Sequence, residues 1–551
     1  MKNRFSFLSK HECLLLHRNM DCTTIKLDYR KTGFFNTLVT DYLSGVEALE
    51  SFYGFRPDPE GIRAAVAQRQ QYPVDRVALV RYLQQQYSNV TVHEATEQSI
   101  RSLLKENTFV ITTAHQPNLF TGPMYVIYKI LHTIRVAETC NRQLPDAHFV
   151  PVYFMGSEDA DMEELAHYHL KGTKHRWKTN QKGAFGRFIV DDALLQLMDS
   201  MAGELEIEPY GKELLQLLRT CYQKGRTLAQ ATFELIHSLF ASYGLLVLIP
   251  DAPALKQQMV NVFREELLQQ TSEPIVRTTA KLLEPRYKVQ AAARSINLFY
   301  LNDGVRERIE KNEQGYHVVN TNLHFTEAEI IQELELHPER FSPNVILRGL
   351  FQEMILPGVA FIGGGGELSY WLELKNLFLH FNVPFPVLLL RNSFLLIEKK
   401  QKEQLLRLNL EPENLFLPIN TLLEQYARLH AADKLDLKEE IHQIEQTYKV
   451  IQEQATKVDF TLLQHVTALQ KQAVEALQQL EKKMLRSEKR KHDTYHRQLQ
   501  HLKTDLFPGE GLQERIENFA SFYAKWGPAF LTRLYEASGA TEQRFTLLIE
   551  H

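Results

Sequence analysis

The segment TTAHQPNLFTGPMYVIYK (112–129) sets His115, Gln116, Asn118, Thr121 and Gly122 behind an apolar run, with Tyr125 and Lys129 early in the helical pattern that follows. Two other apolar runs end in the same way. HFVPVYFM leads to Ser157, Glu158, Asp159 and Asp161, and GVAFIG leads to Gly363, Gly364, Gly365, Gly366, Glu367 and Tyr370. Such groups suit acid–base and oxyanion chemistry. An imidazole hydrogen-bonds a charged oxygen, and a carboxylate holds an amine and takes its proton. Bare N–H groups ahead of a helix receive an anion. SPNVILRG adds Asn344 and Arg348, whose guanidinium can fork onto carboxylates, and Arg391 after the last apolar run is a second group of that kind. Each cluster also has a plainer reading. The acids suit the first turn of a solvated helix, and the glycines suit a tight turn.

What aligns the three clusters is the element order. TFVITT (108–113), a helical pattern through Val126, Ile130, Ile134 and Ala137 with Pro123 in its first turn, and HFVPVYFM (148–155) read as a parallel strand–helix–strand unit. Further strands are expected at GLLVLIP, GVAFIG and FPVLLL, with a helix over ELSYWLELKNLFLHF. In an open α/β sheet, ligands bind beyond the carboxyl ends of the strands, where all three clusters fall. Helices fill 36–105, after a strand-like stretch that begins near Met20. The domains expected are 1–105, an extension and helices packing on the core; 106–395, the α/β core with insertions over about 165–340; 396–506, a helical coiled-coil hairpin; and 507–551, closing helices. Residues 1–19 read as a loose extension. Two heptad seams carry the hairpin. One runs from Leu437 to Ala455 and the other from Leu462 through Leu480 on a helix extending to Leu502, with the turn near TKVDF.

Bulk properties exclude several classes. A net charge of −4 makes no case for a nucleic-acid partner. The basic run KKMLRSEKRK lacks interleaved aromatics and reads as a solvated coil face. Four scattered cysteines without a CxxC pair give no disulfide framework and favour the reducing cytoplasm; none lies in a cluster, so no thiol nucleophile is expected. No apolar run is long enough to span a membrane, and the N-terminus is no signal peptide. GGGGE is neither a P-loop nor GxGxxG, and His167 and His169 near Glu163 and Glu164 match no metal-ligand spacing, so no metal is expected.

TTAHQPNLFTGPMYVIYK, VPVYFMGSEDADMEEL, SPNVILRGLFQEMILPGVAFIGGGGELSYWLELK and LFPGEGLQERIENF together resemble the cysteine-adding enzymes of bacillithiol synthesis, over nearly the whole chain. The resemblance implies a Rossmann-like core akin to class I nucleotidyltransferases and tRNA synthetases, and a C-terminal coiled coil that builds a homodimer. It implies a ligase joining cysteine to the amino group of glucosaminyl malate. His115, Gln116 and Thr121 would line the reactive pocket, faced by Glu158, Asp159 and Asp161. Two departures stand out. Ala160 replaces the histidine of an EDHD motif, leaving that role absent or passed to another group such as His167, and no KMSKS-like signature occurs. Because a carboxylate is a poor electrophile, activation as an adenylate or acyl phosphate, or else an already activated cysteine donor, is expected, with adenylation at the strand ends favoured. ATP or another nucleotide follows from fold analogy, and Mg²⁺ stays open. The rivals are another nucleotidyltransferase-like enzyme and a non-catalytic metabolite-binding scaffold.

Overall fold

The computed structural model describes residues 20–431 and 435–551, so the extension expected over 1–19 lies outside the described residues. The described residues divide into two compact units, one of residues 20–396 with 511–551 and the other within 397–510.

The first unit is organised by five parallel strands: β1 Thr108–His115, β2 His148–Met155, β3 Leu246–Leu248, β4 Gly358–Gly363 and β5 Val387–Leu390. They lie side by side in the order β5-β4-β1-β2-β3. Every residue of β1 is buried, as expected of a strand covered on both faces. Phe109, Ile111, Phe149, Ile362 and Leu389 pack with Val136, Ala137 and Cys140 of the crossover helix α1 (Tyr125–Gln143) to form its core. Pro123 lies before this helix and forms an isolated bridge with Asn518 instead of occupying the first turn.

A second, antiparallel sheet is inserted between β3 and β4, with Leu298–Asn302, Val305–Asn312 and Phe341–Pro343 among its strands. The closing segment is not purely helical as expected. It ends in the strand Phe545–Glu550, which pairs antiparallel with Cys22–Leu27. FTLLIE is mostly apolar without alternation, and its place between Cys22–Leu27 and Ser393–Ile397 in a three-stranded sheet makes it a strand.

The second unit contains the expected hairpin. Helices Lys438–Val458 and Leu462–Lys491 pack on each other, so the seam closes within one chain. The turn is made by Asp459, whose carboxylate accepts from the Thr461 N–H and hydroxyl at 2.8 Å each. The second helix does not run on to Leu502. It breaks at His492 (φ −104, ψ 34) and a new helix spans Asp493–Leu506, with Tyr495 stacked on Tyr426 at 3.6 Å between ring centroids.

Under the sheet, Arg69 and Glu353 are buried together. The guanidinium bonds the Glu353 and Leu356 carbonyls, and Gln352 donates to the Glu353 carboxylate at 2.9 Å. Burial pushes the Glu353 carboxyl up to about 7 against the opposing pull of Arg69. A carboxyl raised on folding stabilises the fold most at low pH, and that contribution is lost as pH rises through about 7. Glu353→Gln is therefore expected to gain on the wild type by roughly 3 kcal/mol between pH 4.5 and 7.5, read as the difference of denaturation midpoints. A difference independent of pH would refute this.

Candidate functional site

Beyond the carboxyl edge of the parallel sheet lies a cleft of about 520 Å³. All three strand-end corners reach it. Its walls carry His115, Gln116, Ser157, Glu158, Asp159, Gly364, Gly365, Gly366 and Glu367, together with Tyr125, Lys129, Asn344, Arg348, Tyr370 and Arg391.

The first corner is a forced turn. Phe120, Thr121 and Gly122 have φ of 51°, 70° and 67°, a run that side chains other than glycine resist. A Cβ on Gly122 would fall 2.6 Å from that of Asn118. Asn518, nearly four hundred residues along the chain, donates to the Phe120 carbonyl at 2.9 Å and the Gly122 carbonyl at 2.6 Å. The Tyr153 hydroxyl donates to the His115 carbonyl at 3.0 Å. The imidazole so held is buried, with the Tyr125 hydroxyl 3.4 Å from Nε2. Desolvation, reinforced by Lys129, Arg391 and Arg348, drives its pKa well below the usual histidine range. At neutral pH His115 is an uncharged hydrogen-bonding group.

Lys129 is also buried. It donates to the Ala114 carbonyl at 2.8 Å and is ion-paired with Glu367. The same Glu367 carboxylate accepts from the Gly364 N–H at 2.8 Å. One carboxylate thus occupies the lysine and one N–H of the glycine run, while Gly365 and Gly366 at the helix start still line the cleft.

At the second corner the two adjacent acids have different fates. Glu158 is ion-paired with the fully buried Lys256 and accepts from Ser342 at 3.0 Å. Its pKa is raised by burial, with Lys256 opposing. Lys256 is also 3.7 Å from Asp251, which Arg187 grips through two bonds of 2.7 and 2.8 Å. Asp159 is more open. It accepts from Gln116 at 3.0 Å and from the Ala160 N–H at 2.7 Å, and its nearest cation is Arg306, 4.0 Å away. Glu164 also lines the cleft, its carboxyl raised by burial and by Asp159, Asp161 and Glu367.

Among the arginines, Arg391 is bound to Glu514 at 2.7 Å. Arg348 bonds the Tyr370 hydroxyl but leaves its Nη1 buried without a partner. Arg306, from the inserted sheet, stacks 4.0 Å over the Phe299 ring and leaves its Nε in the same condition. Two half-satisfied guanidiniums beside an open carboxylate make a site for a ligand bearing both signs of charge.

The bacillithiol biosynthesis BshC N-terminal Rossmann-like domain matches residues 20–392, and the BshC C-terminal coiled-coil domain matches residues 394–550. The chain belongs to the BshC family. Relatives named "Putative cysteine ligase BshC" from Flavobacterium psychrophilum and Flavobacterium johnsoniae are 37% and 38% identical to it. Each alignment covers 95% of this chain and, respectively, 98% and 99% of the relative. A solved "putative arginyl t-RNA synthetase" from Campylobacter jejuni overlaps 81% of this chain and 98% of its own, at 10% identity and a TM-score of 0.21, too low to carry an argument.

Within this BshC chain several expected site residues do not line the cleft. Asn118, Thr121 and Gly122 are buried inside the turn and shape it. Asp161 turns back to cap Glu163 and Glu164 through their N–H groups at 3.0 and 3.2 Å. Gly363 is the last residue of β4, its carbonyl taken by the Arg391 N–H at 2.8 Å. His167 begins a short hairpin strand, packed edge-on against His169, and does not line the cleft to take the place left by Ala160. Arg306, Glu164 and Arg515 line the cleft without having been singled out. Arg306 comes from an insertion that no motif marks, and Arg515 lies in LFPGEGLQERIENF, beyond the coiled coil, where nothing local points it to the cleft. In the sequence, Glu164 belongs to an acidic helix start and to a Glu/His group without metal-ligand spacing, and neither feature points it to the cleft.

Replacing Asn518 by Ala strips two buried carbonyls of their donor, at about 2–4 kcal/mol. The variant is expected to melt earlier and to lose order at His115, seen as loss of protection of the 115–122 amides from hydrogen exchange. Protection equal to wild type would contradict the pinning role.

Proposed function

We propose that this BshC-family chain joins cysteine, through its carboxyl group, to the amino group of glucosaminyl malate. The observation that carries the reading is the pairing, in one cleft, of open carboxylates (Asp159 and Glu164) with the half-satisfied guanidiniums of Arg306 and Arg348. That set complements an acceptor bearing one amine and two carboxylates. The names of the relatives support the same reaction.

Amide formation needs an activated carboxyl group. A nucleotide would act as co-substrate, supplying the leaving group that makes the cysteine carboxyl electrophilic. The helix start at Gly365 and Gly366, which lines the cleft beside the Glu367-bound Gly364 N–H, suits an anion of that kind. Asp159, oriented by Gln116, holds the acceptor ammonium. Glu164, whose pKa is raised by burial and the neighbouring acids and whose basicity is raised with it, takes the proton as nitrogen attacks the acyl carbon and the bond to the leaving oxygen breaks. His115, neutral and fixed by its turn, hydrogen-bonds the oxygen on which charge collects. Arg348 and Arg306 receive the malate carboxylates. Arg391 and Lys129, bound to Glu514 and Glu367, set the field and hold the walls. The described cysteines are buried, with Cys22 pushed up to about 11 and Cys140 and Cys221 to about 12, which disfavours a thiolate nucleophile.

Purified protein incubated with cysteine, glucosaminyl malate and ATP is expected to form the amide-linked thiol, followed by mass spectrometry together with AMP and ADP. Asp159→Asn and His115→Ala should each lower the rate at least 100-fold, on the scale of single acid–base or oxyanion groups. Wild-type turnover by His115→Ala would remove the proposed role. Thiol product without nucleotide cleavage would keep the ligase but remove the nucleotide, and absence of product would favour the rival readings.

We further propose a cytoplasmic homodimer formed through the coiled coil. No residue of helix Lys438–Val458 is fully buried, and Val450 and Leu480 remain about half exposed at 54% and 47%. Light scattering on the purified chain should give twice the monomer mass; a monomer mass at micromolar concentration would refute the dimer.

A further inference from the structure

The short helix Gln513–Ile516 follows the coiled coil in sequence and belongs to the first unit. It is anchored on several sides. Gln513 bonds the Leu396 N–H and carbonyl at 3.1 and 3.2 Å, and Glu514 accepts from the Phe394 N–H at 3.0 Å while bound to Arg391. Just beyond, Glu517 accepts from the Gly172 N–H at 2.7 Å. Between these anchors stands Arg515, an exposed residue whose backbone N–H donates to the Leu512 carbonyl at 2.9 Å and whose side chain lines the cleft without a hydrogen bond or ion pair to the described residues. Glu514, the acid next to it in sequence, is already committed to Arg391. Desolvation at the cleft wall and the like charge of Arg391 both work against the Arg515 cation, and it shares this part of the cleft with Tyr125, whose hydroxyl faces His115. A permanently charged guanidinium held on a fixed segment, open to the cleft beside a second guanidinium and with its neighbouring acid Glu514 bound to Arg391, presents its fork to an incoming anion.

We propose that Arg515 is a substrate-contacting residue of this cleft and that it binds an oxyanion, a carboxylate or a phosphate. On the ligase reading, on which this rests, the oxyanion is either a malate carboxylate or a phosphate of the activating nucleotide. The segment after the coiled coil is then part of the reaction site as well as of the fold.

Isothermal titration of the full-length wild type, Arg515→Gln and Arg515→Lys with glucosaminyl malate and, separately, with ATP tests this. Arg515→Gln should weaken one of the two probes at least tenfold, and Arg515→Lys should fall between, since it keeps the charge and loses the fork. The melting temperature should stay within a degree or two of wild type because Arg515 holds nothing in place. Loss confined to glucosaminyl malate assigns a carboxylate; loss confined to ATP assigns a phosphate. If the wild type binds a probe and both variants bind it equally well, the assignment of Arg515 is overturned and the ligase reading stands. A wild type that binds neither probe overturns both.

Discussion

Matching each buried cation with an acid from a distant part of the chain is the constraint on which this cleft depends. Lys129 on the first crossover helix meets Glu367 at the glycine turn, Lys256 meets Glu158, and Arg391 meets Glu514. A charge withdrawn from water without a partner costs several kcal/mol, so none of these side chains can be buried until its partner segment has arrived. The pairs therefore act as a check that the strand-end corners, the insertion and the closing segment are all docked. They also subtract. Once they are made, the groups left for a ligand are few and specific.

That subtraction changes the chemistry suggested by residue type alone. A lysine, four glycines and a terminal arginine look like a phosphate cradle, yet Glu367 and Glu514 have already neutralised or capped much of that set. What remains open is Asp159 and Glu164 on one side and incompletely bonded guanidiniums on the other. His115 completes the set as an uncharged group, because the cations around it and its own burial make a further positive charge unfavourable.

The HQPN corner illustrates a second dependence. Three consecutive residues with positive φ are a strained arrangement, tolerated because Asn518 ties down the two carbonyls that the turn exposes. Conformational strain in the turn that follows His115 is thus balanced by hydrogen bonds from Asn518. This explains why Asn118, Thr121 and Gly122, expected to meet a ligand, are instead inside the turn.

Apolar runs ending in polar residues, alternating with helical periodicity, were sufficient for the parallel sheet and for the side of it on which His115, Asp159 and Glu367 gather, because strand direction alone determines which ends share an edge. Heptad spacing was likewise sufficient for a helical hairpin, though not for its break at His492, where a tyrosine stack from another helix intervenes. Tertiary structure alone decided which charges are free. Ion pairing depends on distances of a few ångströms between residues hundreds of positions apart, as with Arg391 and Glu514, and no local pattern encodes them. The same holds for Arg306, an ordinary arginine in the linear chain, and for Arg515, whose motif does not reveal that folding carries it to the cleft wall.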